Sequence, residues 1–326
     1  MSETKLDENW ERDILRDLAF ATITEQRRAR RWRIFFILLF FIYLFVTLLI
    51  FVEPDWLSGD EDAGKKHTAL VEVQGIIAAD TQASADKIVT SLRRAFKDEK
   101  TAGVIIRINS PGGSPVQAGY INDEIKRLRE KYPNIPVYAV ATDMCTSGGY
   151  YIAAAADEIY ADKATIIGSI GVLMDGFGFV GAMEKLGVER RLLTAGENKG
   201  FLDPFSPMKE EDLAHIKNVL KDVHDQFVTV VKQGREKSLT EKGKLELLDN
   251  PELFSGLLWT GEQAMELGLV DALGSSSYIA REIIKAEKIK DFTSKQNYLD
   301  RFAERLGATM AKTLAQQLKL NSATLQ

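Results

Sequence analysis

The run Ile34–Val52, IFFILLFFIYLFVTLLIFV, carries 19 residues without a charge, and it constrains this chain more than any other stretch. At about 1.5 Å per residue, a helix of that length crosses the hydrocarbon core of a bilayer. Aromatic and leucine side chains fall on all its sides, which suits lipid better than the interior of a soluble protein. A cleaved leader is disfavoured, because a tail of 33 residues precedes the run and no small-x-small site follows it before Glu53. Arg27, Arg28, Arg30, Arg31 and Arg33 crowd the N-terminal flank, while Glu53, Asp55, Asp60, Glu61 and Asp62 follow the run. Cationic flanks stay in the cytoplasm. The expectation is a single-pass, uncleaved anchor with its N-terminus cytoplasmic and the larger C-terminal part across the membrane.

The remaining pieces follow from composition. Residues 1–33 read as a charged cytoplasmic tail with a short amphipathic helix around WERDILRDLAFATI, and residues 53–66 as an acidic, flexible linker. Residues 67–290 form a soluble domain, and 291–326 an extension whose segment LDRFAERLGATMAKTLAQQL is an amphipathic helix for packing or assembly. With 326 residues, 45 % of them hydrophobic, the chain is long enough to bury a sizeable core. A net charge of −5 argues against a nucleic-acid partner, which leaves a basic footprint. The lone cysteine, Cys145, excludes an intrachain disulfide and reads as a small packing residue. No CxxC or HExxH occurs, and His67, His215 and His224 lack metal-ligand spacing, so neither a metal nor a cofactor is expected.

Within the domain, short β-branched runs alternate with helical spacing. TALVEVQGII, GVIIRINS and IPVYAVAT read as buried strands, with DEIYAD and VERRLLTA as further strands. Between them lie SADKIVTSLRRAFKDEK, with Ser84 as N-cap, and PVQAGYINDEIKRLREKY, with Pro at its start. A short Ala-rich helix follows Ser147, and a long helix spans about Lys209 to Lys237. Such alternation predicts an α/β fold with a parallel sheet and crossover helices.

Two glycine-marked turns follow strands, INSPGGSP (Ile108–Pro115) and TSGGYY (Thr146–Tyr151). In a parallel sheet both lie at carboxyl ends of strands, where ligand sites gather. Gly112 and Gly113 can bring backbone N–H groups close to a substrate carbonyl, and Gly148 can add a second donor; equally, the glycines can simply provide positive-φ turns. Ser147 is a candidate nucleophile, but an N-cap serine fits the same local sequence. It does not sit in a GxSxG elbow, since Cys145 takes the first glycine position, which disfavours an α/β-hydrolase. The proton acceptor is harder to find. No histidine has an informative neighbourhood, and most lysines lie on charged helical faces. A lysine serves as base when removal from water lowers its pKa. Lys199, in the Gly- and Pro-punctuated AGENKGFLDPFSP beside Phe201, Leu202, Pro204 and Phe205, is the candidate for such burial.

INSPGGSP, CTSGGYYIAAAADEIYADKATIIGSIGV, AGENKGFLDPFSPM and WTGEQAMELGLVDALG, in that order, resemble the signal peptide peptidase A (protease IV) family of serine-lysine membrane peptidases, in its short form with one N-terminal anchor. The resemblance covers roughly His67 to Ile289. It implies a ClpP/crotonase-type fold of repeated ββα units preceded by one transmembrane helix, in a bacterial plasma (inner) membrane with the catalytic domain periplasmic or extracytoplasmic. Carried over residue by residue, Ser147 looks like the nucleophile, Lys199 the general base, and Gly113 and Gly148 the oxyanion donors. Ser169 in GSIG is similar to the serine that hydrogen-bonds the base. The resemblance further implies a homo-oligomer, with serine and lysine supplied within one subunit or by neighbours. Its substrates would be apolar peptides, remnant signal peptides above all. Three alternatives compete with it: a related peptidase trimming stomatin-like or misfolded membrane proteins, a crotonase-fold acyl-CoA enzyme, and a non-catalytic peptide-binding scaffold.

Overall fold

In a computed structural model the described residues are 4–52 and 65–294. Most of the expected linker, 53–64, and the expected C-terminal helix from residue 295 onward lie outside them. The chain divides after Ala63 into two units.

The first unit is one helix, α1 (Thr4–Val52), of 49 residues. It runs without a break through both the expected tail and the apolar run. Neither glycine nor proline occurs between Thr4 and Val52, so nothing in the chain chemistry stops the helix at residue 33. Among the described residues no helix is long and apolar enough to cross a membrane. The described side chains of the apolar run end at Thr47.

The second unit is built around one mixed sheet, parallel at every pairing but one. β1 (His67–Gln74), β2 (Thr101–Ser110) and β3 (Val137–Thr146) lie side by side in parallel, joined by α2 (Ala85–Lys97) and α3 (Pro115–Lys131). β3 is shared lengthwise by two neighbours. Its first half pairs with β4 (Glu158–Ala161), and its last three residues pair with β5 (Ile166–Gly168). β6 (Leu258–Thr260) runs antiparallel to β5, β7 (Ala272–Leu273) lies on β4, and β8 (Ile289–Asp291) flanks β1. The switch of partner along β3 leaves α4 (Gly148–Ala153) to start where β3, β5 and the turn after β2 meet.

The central strands are apolar on both faces, as buried parallel strands must be. Ile88, Leu92 and Phe96 of α2 and Ile121, Ile125 and Leu128 of α3 pack against Val71, Val104 and Ile106 on one side. A smaller cluster of Leu70, Ile105, Val140 and Tyr160 is covered on the other by Ile279 and Ala280. These last belong to the turns after α8 (Ser276–Tyr278). Ser114 caps α3 ahead of Pro115, accepting from the Gln117 N–H. Ser84 occupies the cap position of α2 as expected, but its hydroxyl makes no cap bond. The Gln117 side chain from α3 accepts from the Ala85 N–H instead, at 2.8 Å.

The long α6 (Glu210–Glu241) is pinned to the sheet by a buried ion pair. Arg235, 1 % exposed, meets the Asp271 carboxylate through two guanidinium nitrogens at 2.6 and 2.8 Å. The same carboxylate accepts from Ser238, Lys242 and the Ile159 N–H. Burial opposes ionisation of Asp271, but these donors, Arg235 first, override it and hold the carboxyl well below the usual range. α7 (Gly261–Glu266) begins with a complete capping box between Thr260 and Gln263.

Residues 171–208 form an arm of a different character. It holds one short helix, α5 (Val180–Leu186), and VERRLLTA, expected as a strand, has no regular structure. A strand needs a hydrogen-bonded neighbour, and among the described residues no segment pairs with 188–195, so its β-branched and leucine content is not enough.

Candidate active site

The turn after β2 and the start of α4 are pressed together. A Cβ on Gly112 would stand 2.6 Å from Ser147 Cβ and 3.0 Å from Ser147 Oγ, and one on Gly148 would meet the Gly113 nitrogen at 3.3 Å. Only backbone without side chains fits here. Gly112 and Gly113 also adopt φ of 102° and 147°, so the turn reading and the close-approach reading both hold. Gly113 bridges to Ile77 as an extra rung, through Ser114 N–H to Ile77 O and Ile77 N–H to Gly112 O. Ser110, fully buried, steadies the turn: its hydroxyl donates to Gly75 O at 2.6 Å and accepts from the Gly112 N–H at 3.1 Å. The N–H groups of Gly113 and Gly148 donate to no other backbone carbonyl among the described residues.

Ser147 stands at the cap position of α4, yet its hydroxyl caps nothing. Its φ is 52° and ψ −122°, a region that costs a residue with a Cβ on the order of 1–3 kcal/mol. The fold pays that through the Ser147 N–H bond to Gly168 O at 2.8 Å, which locks the turn to β5. Ser169, one residue past β5, has the same φ of 52° and is held by its N–H bond to Leu257 O at 2.7 Å. Four non-glycine residues among those described have positive φ, and two of them line one cleft.

That cleft has a volume of about 740 Å³ and is lined by Gly113, Ser147, Gly148 and Ser169 together with Val116, Tyr120, Tyr151, Val172 and Phe227. The structure therefore brings four of the five expected site residues together. Lys199 is not among the residues lining this cleft: it lies exposed on the arm, in the turn where its N–H bonds Gly196 O. No histidine lines the cleft either. His67 is buried at the start of β1, where burial lowers its pKa against the opposing pull of Asp98. His215 is exposed against the Phe201 ring, and His224 Nε2 lies 3.3 Å from Ile170 O. Cys145 is fully buried two residues before Ser147, and burial pushes its thiol up, away from thiolate chemistry. Among the described residues no group of three or more His, Cys, Asp or Glu side chains is placed to hold a metal ion.

The sequence did not single out two groups, one beneath the turn and one in the cleft. Ser110 reads as a strand end, and only the folded turn shows what its hydroxyl ties. Asp123 hides in the charged run NDEIKRLREK, although the spacing Val116, Gly119, Tyr120, Asp123 puts it on one helical stripe with cleft residues.

The family model for peptidase family S49 matches residues 129–290, which include Ser147, Ser169 and Lys199. A protein of Enterococcus faecium named putative signal peptide peptidase SppA is 33 % identical over 243 residues, 72 % of this chain and 67 % of its own. The chain belongs to peptidase family S49. A putative protease of Synechocystis, slr0021, is 35 % identical over 211 residues, 65 % of this chain and 71 % of that protein. A Brucella abortus protein named Na(+)/H(+) antiporter NhaA is 45 % identical over 199 residues, 61 % of this chain. This S49 chain spans 26 % of that protein's length. The family drawn from the motifs thus stands, and two of the four motifs that suggested it, INSPGGSP and CTSGGYYIAAAADEIYADKATIIGSIGV, meet in the cleft.

Proposed function

We propose that this S49 chain is a membrane-anchored serine endopeptidase on a ClpP/crotonase-type frame, in which Ser147 is the nucleophile and Lys199 the general base. One observation carries the reading: an uncapped serine hydroxyl, held in costly backbone, sits beside two unengaged N–H groups in an apolar cleft. Ser147 Oγ attacks the peptide carbonyl while its proton passes to the neutral Lys199 amine, and the N–H groups of Gly113 and Gly148 receive the oxyanion. Collapse breaks the C–N bond, and the lysine ammonium protonates the leaving amine. Water then attacks the acyl-enzyme, giving a proton to the lysine; the bond from the carbonyl carbon to Ser147 Oγ breaks, and the lysine ammonium returns the proton to Oγ as the acid leaves. Each oxyanion donor contributes on the order of 10²–10³ in rate.

Lys199 reaches the hydroxyl from a neighbouring copy of the chain. The arm that carries it leaves Leu193 95 % exposed and Leu173 and Phe177 81 % exposed, apolar area that a second subunit covers. Desolvation at such a junction disfavours an ammonium and turns a lysine into a base. Ser169, which lines the same cleft, hydrogen-bonds the arriving amine. Substrates lie extended along the Gly112–Gly113 edge with apolar side chains in the cleft, the form of a remnant signal peptide. The apolar run Ile34–Val52, flanked by arginines on one side and acids on the other, anchors the domain on the extracytoplasmic face.

The test is chemical labelling of the full chain in detergent with a serine-acylating reagent, with the modified residue located by mass spectrometry. The expected adduct is on Ser147. An adduct elsewhere, together with hydrolysis that survives Ser147→Ala, overturns the assignment.

A further inference from the structure

The cleft is apolar along most of its length, with one exception. Among its lining residues Asp123 is the single ionisable carboxylate, and no lysine or arginine lines the cleft. Val116, Gly119, Tyr120 and Asp123 follow i, i+3, i+4, i+7 spacing on α3, so the carboxylate continues a stripe whose other members are small or apolar. It is exposed, and the neighbouring arginines are engaged elsewhere: Arg127 and Arg93 both pair with Glu124 on another face of the helix.

The buried Asn122 side chain donates to Tyr151 O at 2.7 Å, fastening this turn of α3 to α4. Tyr151 also lines the cleft, and burial, then the Asp123 charge, push its phenol up. The acidic character continues outward. A shallower groove shares Tyr151 and Gln226 with the cleft and adds Asp222 and Asp225, of which Asp225 pairs with Lys221.

From these observations we infer that Asp123 is a specificity-determining residue that selects peptides carrying a lysine or arginine next to an apolar stretch. This inference rests on the reading of the cleft as a peptide-binding site and narrows its substrate class. An extended peptide with its scissile bond at Ser147 and apolar side chains against Val116, Tyr120, Val172 and Phe227 places a cationic side chain against Asp123, with Asp222 beyond it. A basic residue abutting an apolar run is the composition at the n-region to h-region junction of secretory signals. A peptide without the cation leaves the carboxylate unpaired against a desolvating substrate, which lowers affinity.

The test separates this inference from the peptidase reading by measuring binding as well as turnover. Two fluorescent apolar peptides, identical except for lysine or glutamine at one flanking position, are titrated against full-length Ser147→Ala protein in detergent, with and without Asp123→Asn. The position is scanned along the peptide. The lysine peptide is expected to bind about fivefold tighter at one position, near the upper end for an exposed ion pair, with the advantage shrinking as salt is raised. In the Asp123→Asn background the ratio between the two peptides falls to near one, and Asp123→Lys reverses it for a glutamate peptide. Retention of the lysine preference in Asp123→Asn, or equal binding of both peptides at every position in the parent, overturns the inference. So does a change in subunit number in Asp123→Asn without loss of discrimination, which would assign the carboxylate to an interface. Absence of hydrolysis by the chain with Ser147 intact refutes the peptidase reading instead, and leaves the binding ratio as an independent result.

Discussion

The sheet around β1, β2 and β3 and the arm of residues 171–208 are built by opposite rules. In the sheet, apolar side chains are covered on both faces, polar groups such as Arg235, Asp271 and Ser110 have partners, and the strained Ser147 and Ser169 are pinned by neighbouring strands. In the arm, Leu173, Phe177, Leu186 and Leu193 face outward, each more than three-quarters exposed. The same sequence buries its apolar side chains in one region and leaves them bare in the other. Ser147 belongs to the first region and Lys199 to the second, so the proposed catalytic pair spans two kinds of structure.

The largest effect that probes this division is catalytic. Ser147→Ala and Lys199→Ala are each expected to lower peptide hydrolysis by about 10⁴-fold, as removal of a nucleophile or its base does. Mixing the two inactive variants then breaks or sharpens the comparison. If serine and lysine come from neighbouring copies, mixed assemblies regain activity in a peptide-cleavage assay, whereas an intrachain pair leaves the mixture silent.

Next comes the sheet's own integrity. Asp271→Asn leaves Arg235 buried without its counter-charge and is expected to cost about 3–5 kcal/mol in urea unfolding of the domain. A smaller effect is expected at Glu124, whose carboxyl is held down to about 2 by Arg127, and then Arg93, against the cost of burial. Its unfolded value lies near 4.3. A depressed folded pKa gives stability that is fully present above the unfolded value and is lost as pH falls from there toward about 2. Because both arginines are half exposed, the contribution is about 1 kcal/mol. Unfolding followed by circular dichroism across this window should show the loss, and Glu124→Gln should flatten it.

The smallest effect on the chain's own stability falls on the arm. Leu193→Asp is expected to change urea unfolding by no more than about 0.5 kcal/mol, because the side chain is bare in the single chain. The same substitution is expected to shift sedimentation toward smaller species and to lower hydrolysis with it. An unchanged assembly would remove the arm as the subunit contact.

Much of the frame was legible in the residues. Buried β-branched runs marked β1 to β4, proline marked the start of α3, and the absence of glycine and proline between Thr4 and Val52 accounts for one unbroken helix. The short β6, β7 and β8 were not legible, since two or three residues carry no period and pair only because the sheet edge is waiting for them. VERRLLTA failed in the reverse direction, having strand composition but no neighbour.

By itself, then, the sequence determined which segments are helix or central strand, where the apolar run and its charges lie, and which glycine turns stand near a serine. Those properties are local, set by backbone sterics and side-chain periodicity within a few residues. The tertiary structure alone decided that the turns after β2 and β3 abut, that Gln117 replaces Ser84 as a cap, and that Asp123 enters the cleft. It also decided that Lys199 does not line the cleft that holds Ser147. Each of these depends on distances between residues remote in sequence, which packing fixes and local chemistry does not encode.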